Sequence, residues 1–141
     1  MNIVYVVLSN FLFPPLFIFS MFFLSIFNKK IRQGIIGRFE SLYILKNYFS
    51  KNNLNSNIIW FHCSSLGEYM QAEPLIDSLK NREKSCTVLV SFFSPSGFEN
   101  VKNSNIDCKV YLPFDFPWTV NSLFEIVRPE FIILANNDLW Y

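Results

Sequence analysis

The sequence predicts an α/β protein built on a partial doubly wound parallel sheet, preceded by an apolar, membrane-anchoring helix. Three observations carry this reading. Short β-branched and aromatic runs alternate with stretches of helical periodicity, and no hairpin-type turn joins any two of them. Residues 1 to 28 carry no charged side chain. Residues 29 to 51 then hold six bases (Lys29, Lys30, Arg32, Arg38, Lys46 and Lys51) against the single acid Glu40.

The apolar end comes first in the chain. Ile3 to Phe27 is almost entirely Ile, Val, Leu, Phe, Tyr and Met, and 25 helical residues reach roughly 37 Å, enough for a hydrocarbon layer of about 30 Å. Pro14 and Pro15 interrupt this run at its midpoint, so a bent or re-entrant monotopic anchor competes with a straight span, and an unusually greasy core helix is the plainer alternative. A cleaved signal peptide is disfavoured, because no basic segment precedes the apolar stretch. The bases that follow place the downstream chain in the cytoplasm by the positive-inside bias and attract anionic headgroups, by about 1 kcal/mol per base near the surface. The expected organisation is an apolar anchor over 1–28, a basic collar and linker over 29–56, and a truncated Rossmann-like domain over 57–141. The asparagine-rich stretch 47–57 (NYFSKNNLNSN) is read as loop.

The soluble part follows element by element. Asn57 to His62 reads as a strand ending in the small polar residues Cys63, Ser64 and Ser65. Ala72, Leu75, Ile76 and Leu79 recur at helical spacing and predict a helix over Tyr69–Lys80 with Pro74 in its first turns. Thr87 to Phe93 is a second strand, closed by Ser94-Pro95-Ser96-Gly97 and a short helix around 98–102. Lys109 to Leu112 is a third strand, stopped by Pro113 and Pro117. Val120, Leu123, Phe124 and Val127 give a further helix, with Pro129 as its stop, and Phe131 to Ala135 is a fourth strand. A sheet ending there leaves one edge unpaired and without a covering helix, so the polypeptide reads as part of something larger, one domain at most, and not as a complete two-domain enzyme.

Composition narrows the function. With 51% hydrophobic, 18% aromatic and 16% charged residues, the chain is neither a disordered tail nor a nucleic-acid arm, so no nucleic-acid partner is expected. Cys63, Cys86 and Cys108 include no C-x-x-C pair and stand beside one histidine in the chain. They read as small buried hydrophobes, and no metal or cofactor is expected. There is neither a G-x-G-x-x-G nor a G-x-x-x-x-G-K fingerprint.

Ligands of open parallel sheets bind beyond the carboxyl ends of the strands. That rim is made by Ser64 to Glu68, by Ser94 to Gly97, by Pro113 to Asp115 and by Asn136 to Asp138. Glu68 can act as a general base on a bound hydroxyl, with Gly67 letting the backbone turn beside it. The same glutamate also suits the first turn of a helix, where the dipole and Ser64 or Ser65 would hold it. Ser94, Ser96 and Gly97 can meet a phosphate or form an ordinary turn. His62 reads as a hydrogen-bonded core residue and Asp115 as a helix cap. No Ser-His-Asp triad has geometric support.

Taken together these segments resemble the N-terminal domain of the 3-deoxy-D-manno-octulosonic acid (Kdo) transferase family. Phe61-His62-Cys63-Ser64-Ser65-Leu66-Gly67-Glu68 matches its H-x-x-S-x-G-E motif, with Pro74-Leu75 downstream. Ser94-Pro95-Ser96-Gly97-Phe98-Glu99 matches [TS]-P-[TS]-G-x-E, Tyr111 to Pro117 matches Y-L-P-x-D-x-P, and Arg128-Pro129-Glu130 leads into a strand. The basic stretch with Gly37-Arg38 fits the family's membrane-proximal start. The resemblance implies the N-terminal, acceptor-binding half of a GT-B glycosyltransferase, with CMP-Kdo bound by a C-terminal half absent from this sequence. It implies inverting transfer to a lipid A precursor at the cytoplasmic face of the inner membrane, without a metal, in lipopolysaccharide biosynthesis. Glu68 is then the general base and Asp138, two before Trp140 and one methylene shorter than the family's usual glutamate, a second catalytic acid. Ser65, Gly67, Ser94, Ser96, Gly97 and Arg38 become substrate-binding residues, Arg38 toward the acceptor's phosphates. The alternatives are an inactive membrane-tethered α/β module and a GT-B transferase with another acceptor.

Overall fold

A computed structural model describes residues 28–52 and 57–135, together with positions 15, 16, 19, 20, 23 and 26. The rest of the apolar end, residues 53–56 and the segment 136–141 with Asp138 lie outside the described residues. The elements are α1 (Lys29–Lys51), β1 (Ile58–Cys63), α2 (Leu66–Arg82), β2 (Thr87–Phe92), α3 (Pro95–Asn100), β3 (Cys108–Tyr111), α4 (Pro117–Val127) and β4 (Phe131–Leu134). The four strands form one sheet in the order β3-β2-β1-β4, and every pairing is parallel. All carboxyl ends therefore lie at one edge of the sheet.

Alternation along the strands sends side chains to two separate cores. Phe61 and Cys63 of β1 and Val88, Val90 and Phe92 of β2 pack on Tyr69, Ala72 and Ile76 of α2. Ile58, Trp60, Leu89, Cys108 and Val110 face the other way, onto Leu45 of α1 and Leu123 and Val127 of α4. Helices on both faces are what the doubly wound reading requires. All three cysteines are free and buried; burial pushes the Cys63 and Cys108 thiols up to about 12, so both are inert packing groups.

Four elements differ from the sequence-based expectation. Helix α3 spans Pro95–Asn100 where 98–102 was expected, because Pro95 sits in its first turn. The asparagine-rich stretch was expected to be loop from residue 47, yet α1 runs to Lys51. The apolar positions Leu42, Leu45, Tyr48 and Phe49 keep helical spacing and pack on the second core, and the helix stops only where Asn52 caps it through Tyr48 O. Helix α2 begins three residues before the expected Tyr69, because Ser65 Oγ accepts from Glu68 N at 3.3 Å and caps it earlier. Pro74 consequently sits in the helix interior. It is exposed, as is Met70 four residues before it, so the carbonyl that loses its donor is on the solvent side. The cap of α4 is Phe116, not Asp115, with Thr119 Oγ1 accepting from Phe116 N at 3.1 Å.

No helix among the described residues is long and apolar enough to cross a membrane. The described positions of the apolar end are helical, and Leu16, Phe19, Phe23 and Ile26 are largely exposed.

Candidate functional site

The carboxyl rim of β1 and β2 is tied together beyond the strands. Phe93 N donates to Cys63 O at 3.4 Å and Ser94 N to Ser64 O at 2.9 Å, which brings the Ser64–Glu68 and Ser94–Gly97 segments side by side. Glu68 occupies the first turn of α2, a 17-residue helix. Its carboxylate reaches back to the loop: Ser64 N donates to Oε2 at 2.5 Å, and Ser65 Oγ lies 3.4 Å from Oε1. With the Glu68 N to Ser65 Oγ bond this is a variant of the capping box in which the glutamate accepts one residue earlier than usual. The side chain is half-buried. A carboxylate offers about four acceptor sites, so these bonds orient it without exhausting its lone pairs.

Gly67 does not make the expected turn. It is the second residue of α2, its φ is not positive, and an added Cβ would meet only Ser65 Oγ at 3.9 Å. The direction change is made at Ser65, whose φ of −139° and ψ of 172° are extended. Nothing in the fold demands glycine at 67, and what its missing side chain provides is open space beside Glu68.

Gly97 is different. It is buried, and a Cβ there would overlap the Phe92 ring, so it is held by packing. Ser94 Oγ and Ser96 Oγ are 2.9 Å apart, and Ser94 makes no side-chain cap to the short α3.

Arg38 is carried to this rim by α1, and the structure gives it partners the sequence did not suggest. Nη2 donates to Phe93 O at 2.8 Å and Nη1 to Leu112 O at 3.4 Å, the residues just past β2 and β3. The guanidinium lies over the Phe93 ring at 4.0 Å and the Phe114 ring at 5.5 Å. Burial lowers its pKa from the ordinary arginine value, and two of its five donors are engaged as a clamp between α1 and the sheet. Arg38 and Ser94 line one cleft of about 230 Å³ with Lys30, Ile31, Gly34 and Pro95. A second cavity of about 220 Å³ opens between the β3–α4 segment and α4, with Trp60, Phe114, Asp115, Thr119 and Phe124 among its lining.

Sequence-predicted residues thus fall in two groups on one rim. Ser65, Gly67 and Glu68 lie together at the start of α2; Arg38, Ser94, Ser96 and Gly97 gather at the β2–α3 turn. The Ser64–Ser94 bond joins them. Asp138 lies outside the described residues. The sequence reading singled out neither Lys30 as a cleft-lining base nor Ser91, a lone hydroxyl in the apolar strand TVLVSF; that hydroxyl was the available signal. Among the described residues no group of three or more His, Cys, Asp or Glu is placed to hold a metal ion.

Residues 37–141 match the family described as 3-deoxy-D-manno-octulosonic-acid transferase (kdotransferase). The chain is 30% identical over 101 residues to the 3-deoxy-D-manno-octulosonic acid transferase of Aquifex aeolicus, covering 69% of this chain and 28% of that protein. It is 31% identical over 84 residues to the enzyme of the same name from Haemophilus influenzae, covering 58% and 20%. It is 33% identical over 87 residues to a probable mitochondrial 3-deoxy-D-manno-octulosonic acid transferase of Arabidopsis thaliana, covering 60% and 19%. The matched region therefore spans between 19% and 28% of the length of these relatives. No solved structure matches the chain significantly.

Proposed function

The chain belongs to the Kdo transferase family, and from that premise we propose that it is the acceptor-binding part of an enzyme that moves Kdo from CMP-Kdo onto a lipid A precursor. The observation that carries the reading is the placement of Glu68. Its carboxylate stands at the carboxyl rim of β1, bonded to Ser64 N and beside the open space above Gly67. A carboxylate fixed in this way can take the proton of a glucosamine hydroxyl as that oxygen forms its bond to the anomeric carbon of Kdo. The bond from that carbon to the CMP phosphate breaks, its electron pair leaves with CMP, and the configuration inverts. Asp138 is proposed as a second acid of the same site.

The cleft holding Lys30, Arg38 and Ser94 suits an acceptor phosphate. Arg38 would keep its two carbonyl bonds and contribute charge, while Lys30 supplies the more adaptable contact. We place the domain on the cytoplasmic face of the inner membrane. The charge-free end, the bases Lys29, Lys30 and Arg32 after it, and exposed Phe39, Phe93 and Trp118 support a rim that faces lipid. Phe114, Phe116 and Trp118 form a continuous stack there, with centroids 5.9 and 5.0 Å apart. Rings and bases together suit the headgroup layer.

The test is transfer. The 141-residue chain alone should release no CMP from CMP-Kdo in the presence of a lipid A precursor. Supplied with the CMP-Kdo-binding domain of a relative it should transfer, and Glu68→Ala should lower that rate by a factor of order 10² or more. Full activity in Glu68→Ala would move the base elsewhere; no transfer with any donor domain would favour an inactive tethered module.

A further inference from the structure

Arg38 stands on α1, away from Glu68 on α2, yet backbone bonds join the two. Its Nη2 donates to Phe93 O at 2.8 Å. That carbonyl belongs to the same peptide group as Ser94 N, which donates to Ser64 O at 2.9 Å. A peptide group is planar and turns as one body, so the guanidinium holds one end of this plane and the residue just past β1 holds the other. Phe93 N makes a second link, to Cys63 O at 3.4 Å. Cys63 O in turn shares its peptide group with Ser64 N, the donor to Glu68 Oε2 at 2.5 Å. On the opposite side Arg38 Nη1 reaches Leu112 O at 3.4 Å, and Leu112 N donates to Phe92 O at 2.8 Å. The guanidinium fork therefore ties the segments beyond β3 and β2, and two peptide groups carry the tie onward to β1 and Glu68.

Linked hydrogen bonds polarise one another. A cation on Phe93 O makes the Ser94 N–H of the same peptide a stronger donor to Ser64 O, and donation to Cys63 O does the same for the Ser64 N–H that holds Glu68. We propose that Arg38 is a positioning residue for Glu68: through the Phe93–Ser94 and Cys63–Ser64 peptide groups it fixes the direction of the carboxylate, so that loss of the fork lowers turnover while acceptor affinity is kept. Lysine at 38 separates these two effects. It retains the charge that a phosphate meets, but it has no planar fork to span carbonyls on two segments. The effect on turnover rests on Glu68 being the base, as proposed above; the coupling between Arg38 and the Ser64 amide does not.

Amide hydrogen exchange in the full 141-residue chain, held in detergent micelles, tests the coupling. Arg38→Lys should speed exchange at the Ser94 and Ser64 amides by roughly tenfold, about the protection one hydrogen bond gives, with the buried Leu89 and Val90 amides of β2 unchanged. Lys30→Gln, which alters the charge of the same cleft but not the fork, should leave both serine amides protected. Wild-type protection of both amides in a folded Arg38→Lys would overturn the assignment. If that variant fails to fold, the wild type decides: its Arg38 guanidinium protons should exchange slowly and lie close to Phe93 and Leu112 by NMR, and a freely averaging guanidinium would overturn it. In the enzyme completed with a relative's CMP-Kdo-binding domain, Arg38→Lys should lower kcat several-fold with acceptor KM held within about twofold. A raised KM at unchanged kcat would make Arg38 a phosphate ligand instead. Full activity in Glu68→Ala would remove the base and leave the exchange result standing, so the two failures are told apart.

Discussion

Gly37 and Gly67 both belong to segments that face the rim, one on α1 and one at the start of α2, and they are glycines for opposite reasons. At Gly37 an added Cβ would overlap the Tyr111 ring of β3, so the missing side chain is what lets α1 lie on the sheet edge. At Gly67 the same atom would enter nearly open space, and the backbone there is ordinary helix. The fold accounts fully for the first and not for the second. A glycine in a helix costs stability relative to alanine, and at Gly67 packing does not offset that cost; the function proposed above would make a ligand its beneficiary.

The largest effect should come from Gly37→Ala. Overpacking against a buried tyrosine costs about 1–3 kcal/mol, read as a lower midpoint in urea or heat denaturation. Tyr111→Leu should relieve much of it, and a double-mutant cycle showing no coupling between the two positions would break the comparison. Gly67→Ala should do the reverse to stability, raising it by roughly 0.5 kcal/mol, while weakening transfer in the assembled enzyme. If Gly67→Ala were both more stable and fully active, the space above it would have no functional use.

A smaller and pH-dependent effect is expected far from either glycine. Asn103 and Asn105 donate to Asp77 Oδ1 at 3.0 and 2.8 Å, and these bonds hold the Asp77 carboxyl below its ordinary value. The unfolded chain binds that proton more readily, so stability from this group is present above the ordinary carboxylate pKa of about 3.9. It is lost as pH falls through the lower native value. Asn103→Ala should cost about 1 kcal/mol at neutral pH, and the gap to the wild-type midpoint should narrow in acid to what its remaining bond to Tyr69 Oη contributes. A constant gap down to the acid limb would assign the loss to packing instead.

Much of this architecture is legible in the residues, and the failures have identifiable causes. Continuous β-branched and aromatic runs located all four strands and period-3.6 spacing the longer helices between them, because burial on both sheet faces leaves strong apolar signals at β1 and β2. Strand order carried no such signal, since nothing local distinguishes β1 flanked by β2 and β4 from a sequential arrangement. The sequence reading made 29–56 a basic collar and linker and not the helix α1 over Lys29–Lys51, with asparagine content outweighing the apolar spacing of Leu45, Tyr48 and Phe49. At the rim, Glu68 was placed correctly from its position after a strand. Arg38 was read toward acceptor phosphates or lipid, and only the fold reveals the two carbonyls it meets. Phe131, Ile132 and Leu134 of the edge strand β4 are 59%, 43% and 40% exposed, in line with the unpaired, uncovered edge that the sequence reading expected.

Ser64 takes one bond through each of its backbone groups, its carbonyl receiving Ser94 and its amide reaching Glu68. The carboxylate is thereby wired to the last rung of the sheet as well as to its own helix. Swinging the carboxylate away would mean giving up its bond to an amide whose own residue is held to the neighbouring strand.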